Sequence, residues 1–125
     1  MARAIVGAFA LILFVKIFIL DFMIAEGHSM YPAIRPGTIL VVCRVFYGVR
    51  LPGASSHLVM WRTPVSGQII VFYTPTGEIA VKRAVEIFPD DSFYALGDNS
   101  AQSYDSRDYG PVPFSNIIGR VLGVR

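Results

Sequence analysis

Cysteine, histidine, lysine and tryptophan are all scarce in this chain of 125 residues. The single cysteine, Cys43, excludes an intramolecular disulfide. It lies in the apolar run T-I-L-V-V-C-R and reads as a core residue. One cysteine and two histidines are too few for a His/Cys zinc site, so no metal is expected. The net charge is only +2, with no dense Lys/Arg block and no nucleic-acid motif, which argues against a nucleic-acid partner. Lysine chemistry has two possible sources, Lys16 and Lys82. Amphipathic helical periodicity is missing beyond residue 20, as are internal repeats and low-complexity tracts. Apolar residues, in contrast, are abundant: they make up 54% of the chain, and the mean hydropathy of +0.53 is high for a fully soluble protein. The length suits one domain with a modest core.

Much of that apolar content is N-terminal. After Arg3 the chain is apolar from Ala4 to Val15, is interrupted by Lys16, and is apolar again from Ile17 to Leu20. A cleavable signal peptide, a membrane anchor and a buried helix all fit this pattern. A span needs roughly 20 apolar residues, and this run is slightly short. A lysine is tolerated near the interface, where its stem stays in the apolar layer and its amine reaches water. No A-x-A-like cleavage site precedes a plausible mature start. The preferred reading is a short anchor over residues 1–20, Arg3 on the cytoplasmic side, with residues 21–125 forming the remaining domain.

That domain reads as mainly β. Ile39 to Arg44, Gln68 to Tyr73, Glu78 to Phe88, Ser92 to Leu96 and Ile117 to Val124 are short runs rich in Val, Ile, Phe and Tyr. Pro36-Gly37, Pro52-Gly53, T-P-T-G and G-P-V-P punctuate them, and T-P-T-G between two strands predicts a hairpin loop. Phe46 to Gly67 is the least regular part. Its Trp61, Tyr47, Phe46, Arg50, His57 and Arg62 suit either a surface loop or a membrane-interface contact.

The stretch E-G-H-S-M-Y-P-A-I places Ser29 just behind the apolar segment. Beside Gly and Pro, a serine suits a turn. To act as a nucleophile it needs a base. His28 adjoins it, but neighbouring side chains in extended backbone point apart. His57 has no acidic residue close in sequence. Lys82 lies in the strand E-I-A-V-K-R-A-V-E-I. Alternation puts Ile79, Val81, Arg83, Val85 and Ile87 on one face and Ala80, Lys82, Ala84 and Glu86 on the other, so the pattern alone turns Lys82 to solvent. Its small neighbours Ala80 and Ala84 would nevertheless let another segment reach the amine. A free lysine titrates near about 10.4. Only burial would lower that enough for Lys82 to accept a serine proton near neutral pH.

Taken together, these residues resemble the bacterial type I signal peptidases, membrane-anchored Ser-Lys proteases, over nearly the whole chain. S-M-Y-P (Ser29 to Pro32) is similar to the nucleophile box, G-Q-I-I-V-F (Gly67 to Phe72) to the next strand box, and V-K-R (Val81 to Arg83) to the lysine box. The most specific match is G-D-N-S-A-Q-S-Y-D-S-R-D-Y-G (Gly97 to Gly110). K-I-F-I-L from Lys16 is similar to the junction between anchor and first strand. The resemblance implies a coiled antiparallel β-sheet catalytic core. It departs at Gln68, where an aspartate is usual, and at A-V-E-I-F-P-D-D after the lysine box. Thirteen residues separate Arg83 from Gly97, too few for the extra β domain of some members.

The resemblance also implies roles. Ser29 attacks the scissile carbonyl and Lys82 is its general base. Ser103 hydrogen-bonds the Lys82 amine. Asp105 and Arg107 pair and hold the last box, and Gly97, Asp98 and Asn99 shape its turn. Ala25, Met30, Ile34 and Val81 shape the pocket for a small residue before the cut. The Ser29 N–H and a second donor hold the oxyanion; where some members have a serine as that donor, this chain has Gly27. No cofactor is implied. The implied partners are signal peptides of exported preproteins, cut after Ala-x-Ala-like sites, and membrane lipid. The expected protein is a monomer in the cell membrane, single-pass, its catalytic domain extracytoplasmic. Two alternatives are a dedicated Ser-Lys protease for one substrate, such as a conjugative pilus protein, and an inert membrane-tethered β module. The anchor and the lack of a DNA-binding segment argue against a self-cleaving repressor.

Overall fold

The structure, a computed structural model, describes residues 1–51 and 53–124. Pro52 of the Pro52-Gly53 pair and the terminal Arg125 lie outside the described residues. The chain opens with helix α1 (Ala2–Phe14), followed by a π-helical turn (Val15–Ile19). At 1.5 Å per residue α1 is about 20 Å long, short of the roughly 30 Å hydrocarbon layer. Among the described residues no helix is long and apolar enough to cross a membrane. Lys16 reaches Asp21 across the junction (3.7 Å) with its side chain 61% exposed.

The remainder is a curled antiparallel sheet. Its strands are β1 (Leu20–Ile24), β2 (Ile39–Cys43), β5 (Ile69–Tyr73), β6 (Ile79–Phe88), β7 (Ser92–Leu96), β8 (Val112–Pro113) and β9 (Ile117–Val124). Their order in the sheet is β1-β2-β9-β5-β6-β7-β8. A small hairpin, β3 (Gly48–Val49) with β4 (Val59–Met60), stands apart. The β-branched and aromatic runs thus form strands where their pattern indicates. T-P-T-G closes the β5–β6 hairpin, with the Thr74 N–H donating to Glu78 O (2.7 Å). β1 begins at the expected junction after the apolar segment, and the segment expected to be irregular contains β3 and β4.

Both faces of the central strands are covered. Ile70 and Phe72 pack with Tyr47, Ala84, Phe93 and Ile117, while Val71 of the same strand packs with Leu40, Val42 and Ile118. The register aligns Leu20 with Cys43, Cys43 with Arg120, Arg120 with Ile70, and Ile70 with Lys82. One ladder row therefore joins the first residue after the helical segment to Lys82.

Candidate active site

Ser29 sits on the turn that follows β1. The turn is pinned at its base, where the Ala25 N–H donates to Thr38 O (2.9 Å) and the Gly37 N–H to Ala25 O (2.8 Å). It bends at Gly27, whose φ of +73° lies in the left-handed region that residues with a Cβ rarely adopt. Met30 and Ile34 then bury themselves, at 5% and 2% exposed. From the other side, the Asn99 N–H donates to Ser29 O (2.8 Å) and its Nδ2 to His28 O (3.0 Å).

Lys82 reaches this turn from the middle of β6, with its Nζ 2.8 Å from Ser29 Oγ. The alternation that turned Lys82 to solvent is corrected here: Lys82 is 7% exposed and Ala84 is fully buried, while Ile79 on the opposite face is 53% exposed. β6 lies inside the sheet between β5 and β7, and the Ser29 turn folds over the amine, so neither face of the strand is simply the wet one. Burial pushes the amine below its ordinary value of 10.5, against a partial opposing pull from the charge of Asp105. Among the described residues no carboxylate is in ion-pair contact with Lys82.

The loop from Gly97 to Gly110 closes the site around a buried carboxylate. Asp105 is fully buried and caps the short helix α2 (Ser106–Tyr109). It accepts from the Gly97 N–H (2.9 Å), the Ser103 hydroxyl (2.6 Å) and Arg107 Nε (2.9 Å) and Nη2 (2.8 Å). The expected Asp105–Arg107 pair is therefore present. The Ser103 hydroxyl, in contrast, donates to Asp105 and not to the Lys82 amine. Burial pulls the Asp105 carboxyl upward, but Arg107, Ser103 and the backbone N–H donors outweigh it and hold the group well below the usual carboxylate range.

This pairing makes stability pH-dependent. Because the folded pKa is depressed, the stabilisation is complete above the ordinary 3.8 and declines as pH falls below it toward the folded value. Asp105→Asn is expected to cost roughly 1–3 kcal/mol for each buried donor it leaves unpaired. In urea unfolding, the gap between the two proteins should be constant near neutral pH and narrow in acid. A gap that widens in acid would contradict the assignment.

Asp98 takes a two-pronged ion pair from Arg83, Nε to Oδ1 (2.9 Å) and Nη2 to Oδ2 (2.8 Å). Arg83 Nη1 also donates to Gly67 O (2.8 Å). Arg83 thereby ties the lysine strand to both neighbouring boxes. It was not singled out from the sequence, although its position directly after Lys82 was the available signal. Gln68, at the unusual position, accepts the Tyr47 hydroxyl through Oε1 (2.7 Å). Ala25, Met30, Ile34 and Val81, the four expected pocket residues, line one cleft of about 440 Å³ with Ser29, Lys82, Gly27 and Tyr104. The cleft pairs a serine hydroxyl and a desolvated amine with a mainly apolar wall, an arrangement suited to acyl transfer on a small side chain.

Comparisons with known proteins bear on the family of the chain. The family model described as signal peptidase, peptidase S26, matches residues 1–90 and 84–124. A signal peptidase I of Leptolyngbya laminosa is 36% identical over 59% of this chain and 36% of its own length. The mitochondrial ATP-independent inner membrane protease subunit 1b of Arabidopsis thaliana is 30% identical over 78% of this chain and 65% of its own. Thylakoidal processing peptidase 1 of the same plant is 23% identical over 74% and 38%. The chain thus spans between about a third and two thirds of the length of these relatives. With a family model matching nearly end to end around a serine–lysine pair, the chain belongs to the signal peptidase family, peptidase S26.

Proposed function

We propose that this chain is a membrane-bound endopeptidase that removes signal peptides from exported preproteins after Ala-x-Ala-like sites. The observation that carries the reading is the 2.8 Å contact between a buried lysine amine and Ser29 Oγ inside a cleft of about 440 Å³.

The steps follow from those two groups. With Lys82 neutral, its lone pair takes the Ser29 hydroxyl proton as Oγ bonds to the scissile carbonyl carbon. The Ser29 N–H stabilises the oxyanion. Collapse breaks the C–N bond, and Lys82 returns its proton to the leaving amine. Lys82 then takes a proton from water as the water oxygen attacks the acyl ester, and returns it to Ser29 Oγ as the Oγ–C bond breaks, which frees the acid product and regenerates both the hydroxyl and the neutral amine. Asp105 holds Ser103, Gly97 and Arg107 in place beside the pair, and Arg83–Asp98 and Asn99 fix the two strands that carry it. Ala25, Met30, Ile34 and Val81 accept the small residue before the cut.

Residues 1–20 serve as the anchor and residues 21–125 as the catalytic domain, on the extracytoplasmic side of a cell membrane. The ladder row from Leu20 to Lys82 supports this by setting the lysine level with the end of the apolar segment. An inert binding module fits less well. Burying an amine without a carboxylate partner costs stability, and an inert domain gains nothing from it.

The test is cleavage of an Ala-x-Ala preprotein in detergent. Wild type is expected to cut after the second alanine. Ser29→Ala and Lys82→Ala, with unchanged circular dichroism, are expected to lose at least about 10³-fold in rate. Variants that cut as well as wild type would return Ser29 to a turn residue.

A further inference from the structure

Between Glu26 and Glu78 the chain contains no aspartate or glutamate. The fold brings the two acids that bracket this span together, because both line the cleft that holds Ser29 and Lys82. Among the described residues Lys82 is the only basic one in that lining, and in its neutral form it leaves the cleft net negative. Both glutamates are exposed. The acids that form ion pairs among the described residues are Asp21, Asp98 and Asp105, so neither glutamate carboxylate is in ion-pair contact there.

Glu78 is fixed at the far end of the cleft. The Thr74 N–H donates to Glu78 O (2.7 Å) and the Glu78 N–H to Thr74 Oγ1 (3.1 Å), and Thr74 is itself buried. From there β6 runs straight to Lys82, four residues on and about 13 Å away at the rise of a strand. The cleft takes residues 78–82 from this strand and nothing between Arg83 and Ser103, so it extends from the reacting pair back toward Glu78. β5 covers one edge of β6 from Ile79 to Arg83, whereas β7 covers the other only from Arg83 to Phe88. Residues 79–82 therefore offer an edge along which an extended peptide can lie, advancing at the same rise. With the residue before the cut beside Val81 and Lys82, the fourth and fifth residues before the cut come level with Glu78.

From this placement we infer that Glu78 selects substrates that carry a lysine or arginine four or five residues before the cut, with Glu26 adding to the attraction. A cation at that point meets a carboxylate that no other side chain neutralises. An acid at the same point meets like charge, which is how a site rejects a wrong partner. Exposed carboxylates are ordinary on a protein surface; these two differ because they share a cleft with the reacting pair and stand at the two ends of an acid-free span. The inference rests on the proposed reading that the acyl side of a peptide occupies this cleft. Its readout is binding and not cleavage, so failure of one is distinguishable from failure of the other.

The test uses the full chain with Ser29→Ala, in uncharged detergent, so that peptides bind without being cut. Fluorescently labelled peptides with one Ala-x-Ala site differ only at the fourth and fifth residues before the cut, which are lysine, glutamine or glutamate. Anisotropy titrations are expected to rank them lysine, glutamine, glutamate, with about two- to fivefold in Kd for each exposed charge pair, and the ranking is expected to collapse in high salt. Adding Glu78→Gln is expected to remove most of the preference, and Glu78→Lys to invert it. Glu86→Gln, which removes an exposed acid of β6 outside the cleft, is expected to keep the ranking. A peptide with the same lysines placed after the cut is expected to bind like the glutamine peptide. Tight binding with no ranking, a ranking unchanged by Glu78→Gln, or an equal gain from lysines after the cut would each overturn the inference while leaving the cleavage reading intact. Absence of binding by every peptide would overturn both. The expected ranking in a chain whose wild type cuts none of these peptides would support the inference and count against the protease reading.

Discussion

Lys82→Arg is expected to abolish cleavage while leaving the chain folded. Arginine keeps a positive charge at this position, but its guanidinium does not give up a proton in proteins, so Ser29 would have no base within 2.8 Å. Loss of a general base with its nucleophile intact typically costs about 10²–10⁴-fold. Because the same amine must also activate the deacylating water, the upper end of that range is expected. The pH profile has a definite sign. Burial lowers the Lys82 pKa from 10.5, so the neutral, active form accumulates as pH rises through that lowered value and is lost as pH falls through it. In wild type, kcat/KM should therefore show an acid limb displaced below the ordinary lysine range. Full cleavage by Lys82→Arg, or a wild-type profile with no limb below that range, would end the Ser-Lys mechanism.

Gly97→Ala is expected to damage both stability and activity, and more than alanine at any exposed turn glycine. A Cβ at position 97 would lie 2.7 Å from the Ser29 carbonyl oxygen and 2.5 Å from Ser103 Cβ, and it would overlap Ser103 Oγ. The Ser29 oxygen is backbone, already held by the Asn99 N–H at 2.8 Å, so it has little freedom to retreat. Overpacking of this kind costs about 1–3 kcal/mol, and it pushes directly on the residue proposed as nucleophile. A displacement of even 1 Å in such a site is worth on the order of 10²-fold in rate. Thermal unfolding should show the lower stability, and kcat should fall while the apolar pocket still binds peptide. Gly27→Ala is the internal comparison. Its Cβ meets nothing within 4 Å, so it tests backbone strain at φ +73° without a clash. Equal rate losses in the two variants would mean that close approach at Gly97 is not what matters.

The sequence by itself determined the class of fold and the positions of most strands. Runs such as I-I-V-F-Y and S-F-Y-A-L favour extended backbone locally, and Pro-Gly and T-P-T-G end them locally. β7 and β9 accordingly fall on the residues expected, and β2, β5 and β6 fall within a residue of them. Ser29, Lys82 and the 97–110 loop were legible as well, but through their resemblance to a family, since no local rule relates residues 53 positions apart.

Only the tertiary structure decided which face of β6 was wet. Alternation divides a strand into two faces without saying which is covered, and in a curled sheet with cores on both sides the answer is neither. That is why Lys82 is buried while Ile79 is exposed. The resemblance assigned the Ser103 hydroxyl to the Lys82 amine, but a hydroxyl two residues from a carboxylate bonds whichever partner the folded backbone presents, and here that is Asp105. β3 and β4, two residues each, are too short for propensity to reveal. They exist because Tyr47 is buried in the core and holds both Trp61 and Arg62 to its carbonyl. Local preference set the strands; long-range burial lowered the lysine's pKa and thereby favours the chemistry proposed for it.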